Sequence, residues 1–383
     1  MKNIVLKIEK SIWNSYDREL GIGLYSGLSG IILLYDYLSQ TYNVEEYENK
    51  LLTIIEKVNE LIENQGNVSS LCHGLSGYGL ILLGLKNKDI EISEEYFENI
   101  DCYLLNDFNS FCESNEYDFM HGAMGIAMYF IERHRLGNHD HIISLLNVFG
   151  EKLIHKINTD FSETLVKSNE TGQEYYTFGM AHGVAGYINF LIYLKKNLNS
   201  LDITPSLKIC ISFLQRYKKY DNRSKQHYPN VFMLDSKENL PSRLSWCQGD
   251  LGISNAFYNA GIFLENKDLI QEAIDLMNHS AALRLEEAGV KDFGMCHGSA
   301  GILIQFYLAS KKYDIDYSKE IEYWFDVIKK QTNNFDEFLS YDKEFNNYNA
   351  ENNLLFGSVG LALTLLTIEN QIDTEWLQIL NLN

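Results

Sequence analysis

Cys247 and the adjacent pair Cys296-His297 are the residues whose types most clearly suggest chemistry. Thiolate and imidazole are favoured zinc donors, and three protein ligands leave the fourth tetrahedral position open. Zn2+ with two thiolates and a neutral imidazole is formally neutral, so a substrate thiolate added as fourth ligand would make the centre anionic. Zinc lowers the pKa of a bound thiol, and an electron-rich set of donors keeps the resulting thiolate nucleophilic. Such a centre suits thiol alkylation better than hydrolysis, where histidine and carboxylate ligands are more usual. One zinc per chain is expected. Without further context, a single cysteine and a Cys-His pair 49 residues later read equally well as small buried residues at helix starts. Their place in a repeat changes that reading.

A short glycine motif occurs seven times, each time followed by an apolar run. The copies begin at Tyr25-Ser26-Gly27, Cys72-His73-Gly74, His121-Gly122, His182-Gly183, Cys247-Gln248-Gly249, His297-Gly298 and Phe356-Gly357. Their first glycines are spaced by 47, 48, 61, 66, 49 and 59 residues. A unit near 47 residues accommodates two helices, and the longer intervals imply insertions near 159–178, 220–245 and 333–354. Runs such as Ile31-Ile32-Leu33-Leu34 and Leu361-Ala362-Leu363 are apolar enough for buried helices. The stretches before the motifs are amphipathic. Between Glu45 and Glu63, for example, Leu51, Ile54, Ile55, Val58 and Leu61 recur at helical spacing among charged residues.

The pattern predicts an all-α fold of seven buried and seven amphipathic helices, arranged as a closed double ring in a single domain, residues 1–383. An open solenoid is the alternative. All seven turns would lie at one end of such a ring, gathering Asp118, His121, His182, Cys247, Asp250, Cys296 and His297 in one neighbourhood. Cys72-His73-Gly74 matches Cys296-His297-Gly298 residue for residue, but its neighbouring repeats supply no third cysteine. Cys72 is therefore read as structural, with His73 and His121 as turn or packing residues. Only three prolines fits a mostly helical chain. A net charge of −20 argues against a nucleic-acid partner. The absence of a signal peptide and of a long uncharged apolar run suggests a cytoplasmic protein. In that compartment six cysteines do not read as a disulfide framework.

The seven motifs, with Ser245-Trp246-Cys247-Gln248-Gly249-Asp250 and Cys296-His297-Gly298 in the fifth and sixth, resemble the lanthionine synthetase C family of lanthipeptide cyclases. The resemblance runs from about residue 20 to about residue 366. It implies an α/α toroid and a zinc ion on Cys247, Cys296 and His297. The implied reaction is intramolecular Michael addition of cysteine thiols to dehydroalanine or dehydrobutyrine in a lantibiotic-type precursor, giving lanthionine or methyllanthionine. Carried over position by position, it also implies catalytic parts for Asp118, in Tyr117-Asp118-Phe119-Met120-His121-Gly122, and for His182, in Gly179-Met180-Ala181-His182-Gly183. Arg243, four residues before Cys247, matches the family's functional arginine. Gln248 departs from the tyrosine expected there. The chain is too short for a fused dehydratase domain, so a stand-alone cyclase is expected, in a complex with a separate dehydratase and an ABC exporter, possibly at the membrane.

Roles follow from the reaction. Attack on the β-carbon creates an enolate that Arg243 can stabilise. His182 can accept the thiol proton or return one to the α-carbon, and Asp118 can orient His182 or assist the transfer. Bland readings stand beside these: Arg243 as an ion-pair residue and Asp118 as a helix cap. Two other functions use the same residues, namely addition of a free thiol such as glutathione to dehydroamino acids, and a zinc-stabilised scaffold that binds a peptide without catalysis.

Overall fold

The computed structural model describes residues 2–18, 21–64, 68–86, 88, 90–137, 139–170, 172–342 and 344–382. These form two compact units, one of Met1–Leu146 with Thr332–Asp373, the other of Asn147–Gln331 with Thr374–Asn383. In chain order the first unit begins with α1 (Lys2–Trp13), α2 (Leu28–Tyr42), α3 (Glu45–Asn64), α4 (Leu75–Lys86), α5 (Glu94–Ser114) and α6 (Ala123–Gly137). The boundary falls within α7 (Asp140–Thr164), whose backbone leaves helical geometry at Asp160. The second unit continues with β1 (Lys167–Glu170), β2 (Gln173–Thr177), α8 (Val184–Asn197), α9 (Thr204–Tyr217), β3 (Val231–Met233) and β4 (Glu238–Leu240). Then come α10 (Asp250–Phe263), α11 (Lys267–Ala281), the single turn α12 (Leu285–Ala288), α13 (Ser299–Lys312) and α14 (Ser318–Gln331). The chain returns to the first unit through β5 (Leu339–Asp342), β6 (Asn347–Ala350) and α15 (Ser358–Ile368).

Buried and amphipathic helices alternate as their sequences require. In α3 the buried residues are Tyr47, Leu51, Ile54, Val58 and Leu61, a single stripe at three- and four-residue spacing. In α15 every residue from Ser358 to Thr367 is buried. Each fully buried leucine or valine there contributes about 1.5–3 kcal/mol relative to exposure. Among the described residues, α2, α4, α6, α8, α10, α13 and α15 are of the buried kind, and each follows one glycine motif.

The two kinds of helix start differently. Ser93 and Asn266 cap the amphipathic α5 and α11 through their side chains, accepting from the amides of Tyr96 and Leu269. The buried helices start on glycine, and the preceding loop folds back to satisfy the first free amides. Leu28 N donates to Gly21 O, Leu75 N to Val68 O, Ala123 N to Glu116 O, Ser299 N to Asp292 O and Ser358 N to Glu351 O, all at 2.7–3.0 Å. Each is a seven-residue closure. A Cβ on Gly74 would overlap the carbonyl of Val68, and one on Gly301, three residues after a motif glycine, would overlap that of Met295. These positions require glycine because the backbone approaches itself too closely for a side chain.

Adjacent turns are joined by a second kind of backbone bond. In five turns the residue two before the motif glycine donates its N–H to the carbonyl at the same place in a neighbouring turn. In the first unit Leu355 donates to Tyr25, Tyr25 to Cys72 and Cys72 to Met120, at 3.0–3.1 Å. In the second, Cys247 donates to Cys296 at 3.3 Å and Ala181 to Cys247 at 3.5 Å.

The insertions hold the strands, which the sequence reading did not foresee. Two of them meet in one antiparallel sheet of order β1-β2-β3-β4, with Tyr176 opposite Phe232. The third is the hairpin β5–β6. These strands are three to five residues long and largely polar, so they lack the alternating pattern that marks a half-buried strand.

The close-approach argument has a direct test. Gly301→Ala should lower stability by about 3 kcal/mol, at the upper end of overpacking costs. Gly84→Ala, in the exposed part of α4 with nothing within 4 Å of the added carbon, should raise it by about 0.5–1 kcal/mol through helix propensity. Unfolding midpoints in urea for the two variants distinguish these outcomes, and equal midpoints would contradict the reading.

Candidate metal centre

The fifth turn presents Cys247 ahead of α10, and the sixth presents Cys296 and His297 ahead of α13. The bond from Cys247 N to Cys296 O draws the two turns together. One ligand atom from each of Cys247, Cys296 and His297 then lies within 4.8 Å of the others. Cys296 is buried, whereas Cys247 and His297 are half-buried, so the group opens on one side. Ser245 Oγ lies 3.6 Å from Cys247 Sγ and donates to the carbonyl of Gln248 at 2.9 Å, which fixes the loop around the thiol. Trp246, fully buried, anchors the same loop by donating Nε1–H to Leu380 O at 2.9 Å.

The two thiols are shifted in opposite directions. A hydrogen bond from Cys296 pulls the Cys247 thiol well below its ordinary pKa against the effect of burial, with His297 adding to it. The same bond, together with burial, holds Cys296 well above. Two sulfurs and an imidazole converging in this way form a donor set matched to a soft or borderline divalent cation, with one coordination position left over.

Other residues singled out in the sequence surround this group in different ways. Arg243 is half-buried in the loop leading to Cys247, and its charge acts on the Cys296 thiol, favouring the thiolate. Its carbonyl lies against Gly249, which has φ +82° and no space for a Cβ. His182 is exposed in the fourth turn, and its carbonyl accepts from Thr177 Oγ1 at 2.9 Å. That turn presses on the fifth: Ala181 N donates to Cys247 O, and a Cβ on Gly179 would overlap the same oxygen. Asp118 lies in the third turn, in the first unit, where its Oδ1 accepts from the amides of Met120 at 2.9 Å and His121 at 2.7 Å. It therefore caps its own turn, whatever else it does.

Asp250 departs from expectation. Its fully buried carboxylate accepts from His227 N at 2.9 Å, from Tyr228 N at 3.0 Å and from His227 Nδ1 at 2.8 Å. The His279 ring packs edge-on against His227, with centroids 4.5 Å apart. Asp250 thus organises the 220–245 insertion and is not among the groups gathered at the cysteines. The insertion answers in kind. Gln226 Oε1 accepts from Asp250 N at 3.0 Å, in place of the seven-residue closure used by other turns. The sequence carries no signal for this, because the partners are more than twenty residues apart and lie in a loop without regular pattern.

The fold that carries these turns is shared with known proteins. Residues 18–381 match the family model described as lanthionine synthetase C-like protein. The chain belongs to the lanthionine synthetase C-like family. It is 26% identical over 359 residues to the nisin biosynthesis protein NisC of Lactococcus lactis subsp. lactis, covering 82% of this chain and 83% of the relative. Its structure is similar to that of nisin cyclase, with a TM-score of 0.78 and 22% identity over 100% of this chain and 98% of the other. The fold is the α/α toroid of that cyclase, and the enzyme class is that of a lanthionine synthetase. Among the described residues no helix is long and apolar enough to cross a membrane.

Removing the Asp250 carboxylate strands three donors around a buried cavity. Asp250→Ala should cost about 3 kcal/mol or more, the scale for breaking a buried charged network. It should also abolish hydrogen-exchange protection at the His227 and Tyr228 amides. Unchanged protection at both amides would mean that the carboxylate does not hold this segment.

Proposed function

We propose that this chain closes thioether rings in a dehydrated precursor peptide. A cysteine thiol of the peptide adds to a dehydroalanine or dehydrobutyrine of the same molecule, forming lanthionine or methyllanthionine. The observation that carries this reading is the convergence of Cys247, Cys296 and His297, with Arg243 in the adjoining loop, in a member of this family. We assign one zinc to those three ligands; when bound, it would lower the pKa of the substrate thiol so that the thiolate is present near neutral pH.

The chain's own residues supply the rest. The substrate sulfur forms a bond to the β-carbon, and the π-electron pair moves toward the carbonyl as an enolate. Arg243, fixed in the loop before Cys247, offers a positive charge to that enolate. His182, exposed on a turn pressed against Cys247, takes the proton released by the thiol or delivers one to the α-carbon. Asp118, already holding the amides of its own turn, is assigned a supporting part in proton transfer. No atoms are gained or lost overall. Because the substrate must already contain dehydroamino acids, a dehydrating enzyme has to act first. We infer that residues 1–383 act as one cyclase domain with that dehydratase and an exporter, and that any association with the membrane runs through those partners.

Metal content tests the ligand assignment. After dialysis against metal-free buffer, zinc should remain at about one per chain. Cys247→Ala, Cys296→Ala and His297→Ala should each lose it, while Cys72→Ala keeps it. Full zinc in Cys296→Ala, or its loss from Cys72→Ala, would place the catalytic ion elsewhere.

The reaction is read from peptide mass and free thiols. With enzyme and dehydrated peptide, alkylatable thiols should disappear while mass stays constant. A mass gain that requires added glutathione would identify intermolecular thiol addition instead, and persistence of thiols would leave only a binding scaffold. His182→Asn should keep its zinc and bind the peptide, yet cyclise roughly a hundredfold or more slowly, the usual scale for losing a general acid or base. His121→Asn should cost much less. A near-normal rate in His182→Asn with zinc intact would remove the proton-carrying role from His182.

A further inference from the structure

Aligned on their motif glycines, the second and third turns repeat the plan of the fifth and sixth. Cys72-His73-Gly74 stands against Cys247-Gln248-Gly249, and Met120-His121-Gly122 against Cys296-His297-Gly298. The backbone bond that assembles the first centre is repeated as well. Cys72 N donates to Met120 O at 3.0 Å, as Cys247 N donates to Cys296 O at 3.3 Å. The histidine that follows the accepting residue is thereby brought beside the cysteine in both places. Methionine replaces the second cysteine at Met120, but histidine replaces Gln248 at His73. The count of nitrogen and thiol donors therefore stays at three.

One ligand atom from each of Cys72, His73 and His121 lies within 4.8 Å of the others, all inside the first unit. Cys72 Sγ and His73 Nε2 are 3.5 Å apart. A sulfur and a nitrogen bound at about 2.3 and 2.1 Å to one tetrahedral zinc would be about 3.6 Å apart. The other nitrogen of the same ring, Nδ1, hydrogen-bonds to Ser26 Oγ in the first turn. Metal-binding histidines depend on such an outer partner, which fixes the ring; with Nδ1–H donating to the hydroxyl, Nε2 is the nitrogen left to bind an ion. His121 stacks on His73, with ring centroids 5.3 Å apart, and both are exposed while Cys72 is buried. The donors thus open toward solvent on one side, as at the first centre.

We propose that Cys72, His73 and His121 form a second metal centre, taking a thiophilic divalent cation of the zinc, cobalt or cadmium type. The cation displaces the Cys72 thiol proton to solvent. One thiolate and two neutral imidazoles leave a bound divalent ion with a charge of +1, so its fourth position suits an anion such as hydroxide or a thiolate. With one thiolate fewer than the Cys247 centre, this site binds more weakly and fills second. It does not depend on the cyclase reading, since metal uptake is measured without peptide.

The full-length chain, stripped with chelator under a thiol-free reductant, is titrated with Co2+ while thiolate-to-cobalt charge transfer is recorded. Two equivalents are expected, the second adding a weaker charge-transfer band from a single thiolate. Cys72→Ser and His121→Gln should lose the second equivalent and keep the first, and Cys247→Ser should do the opposite. His121 is exposed, so its variant remains informative even if the buried Cys72 position tolerates no change. Ser26→Ala should weaken the second equivalent by roughly ten- to a hundredfold, the usual effect of losing an outer-sphere partner. Saturation of the unaltered chain at one equivalent overturns the proposal. So does a second equivalent without charge transfer, or one that survives His121→Gln.

Discussion

One backbone hydrogen bond, repeated from turn to turn, sets the geometry on which the rest depends. It runs from the N–H two residues before a motif glycine to the carbonyl at the same place in a neighbouring turn, and five such bonds occur within the two units. Because the bonded residues are equivalent, their side chains, and those of the residues that follow, are set side by side at each junction. The bond also demands close approach of main chains, which explains the glycines that stand just before the motifs at Gly23 and Gly179. A Cβ at Gly23 would overlap the carbonyl of Cys72, and one at Gly179 would overlap that of Cys247. Side chains at these positions would separate the turns and break the ladder.

The candidate metal centre is a local decoration of that ladder. Cys247 and Cys296 occupy the bonded position in successive turns, and His297 occupies the one after it. Their convergence needs no special loop, only the right residue types on a scaffold that already aligns those positions. In other turns the same places carry Tyr25 and Leu355, which are buried and serve packing. A repeat of this kind lets chemistry be placed at a junction without altering the helices, since the apolar residues that hold α10 and α13 lie further along the chain.

The insertions answer a different need. The segment between α9 and α10 is tied down by Asp250, a buried carboxylate that accepts three hydrogen bonds from His227 and Tyr228. The same segment contributes β3 and β4 to the sheet begun by β1 and β2, and ends in the loop that carries Arg243 to the cysteines. A buried charge at a helix start is tolerated because the N-terminal dipole and the donors compensate it. Its effect is to give the loop before Cys247 one fixed path.

The sequence by itself determined the alternation of buried and amphipathic helices, the seven glycine turns and the candidate trio Cys247, Cys296 and His297. All of these follow from residue type and spacing along a single chain: apolar periodicity, close-approach glycines and cysteine-histidine chemistry. The family was also legible, because its motifs fall in the turns. Only the tertiary structure decided which way the polar side chains face. Asp250 shares a motif with Cys247 yet turns to His227 and Tyr228, and Asp118 caps its own turn through the amides of Met120 and His121. Cys72, which the repeat alone left without a full set of partners, meets His73 and His121 because Cys72 N bonds to Met120 O. The short strands were likewise invisible: the local pairs are only three to five residues long, and the pairing that joins two insertions sets Tyr176 opposite Phe232, more than fifty residues away in the chain. Periodicity reports burial along one element, whereas pairing between distant segments is selected by hydrogen-bond donors and acceptors that meet only after the helices have packed.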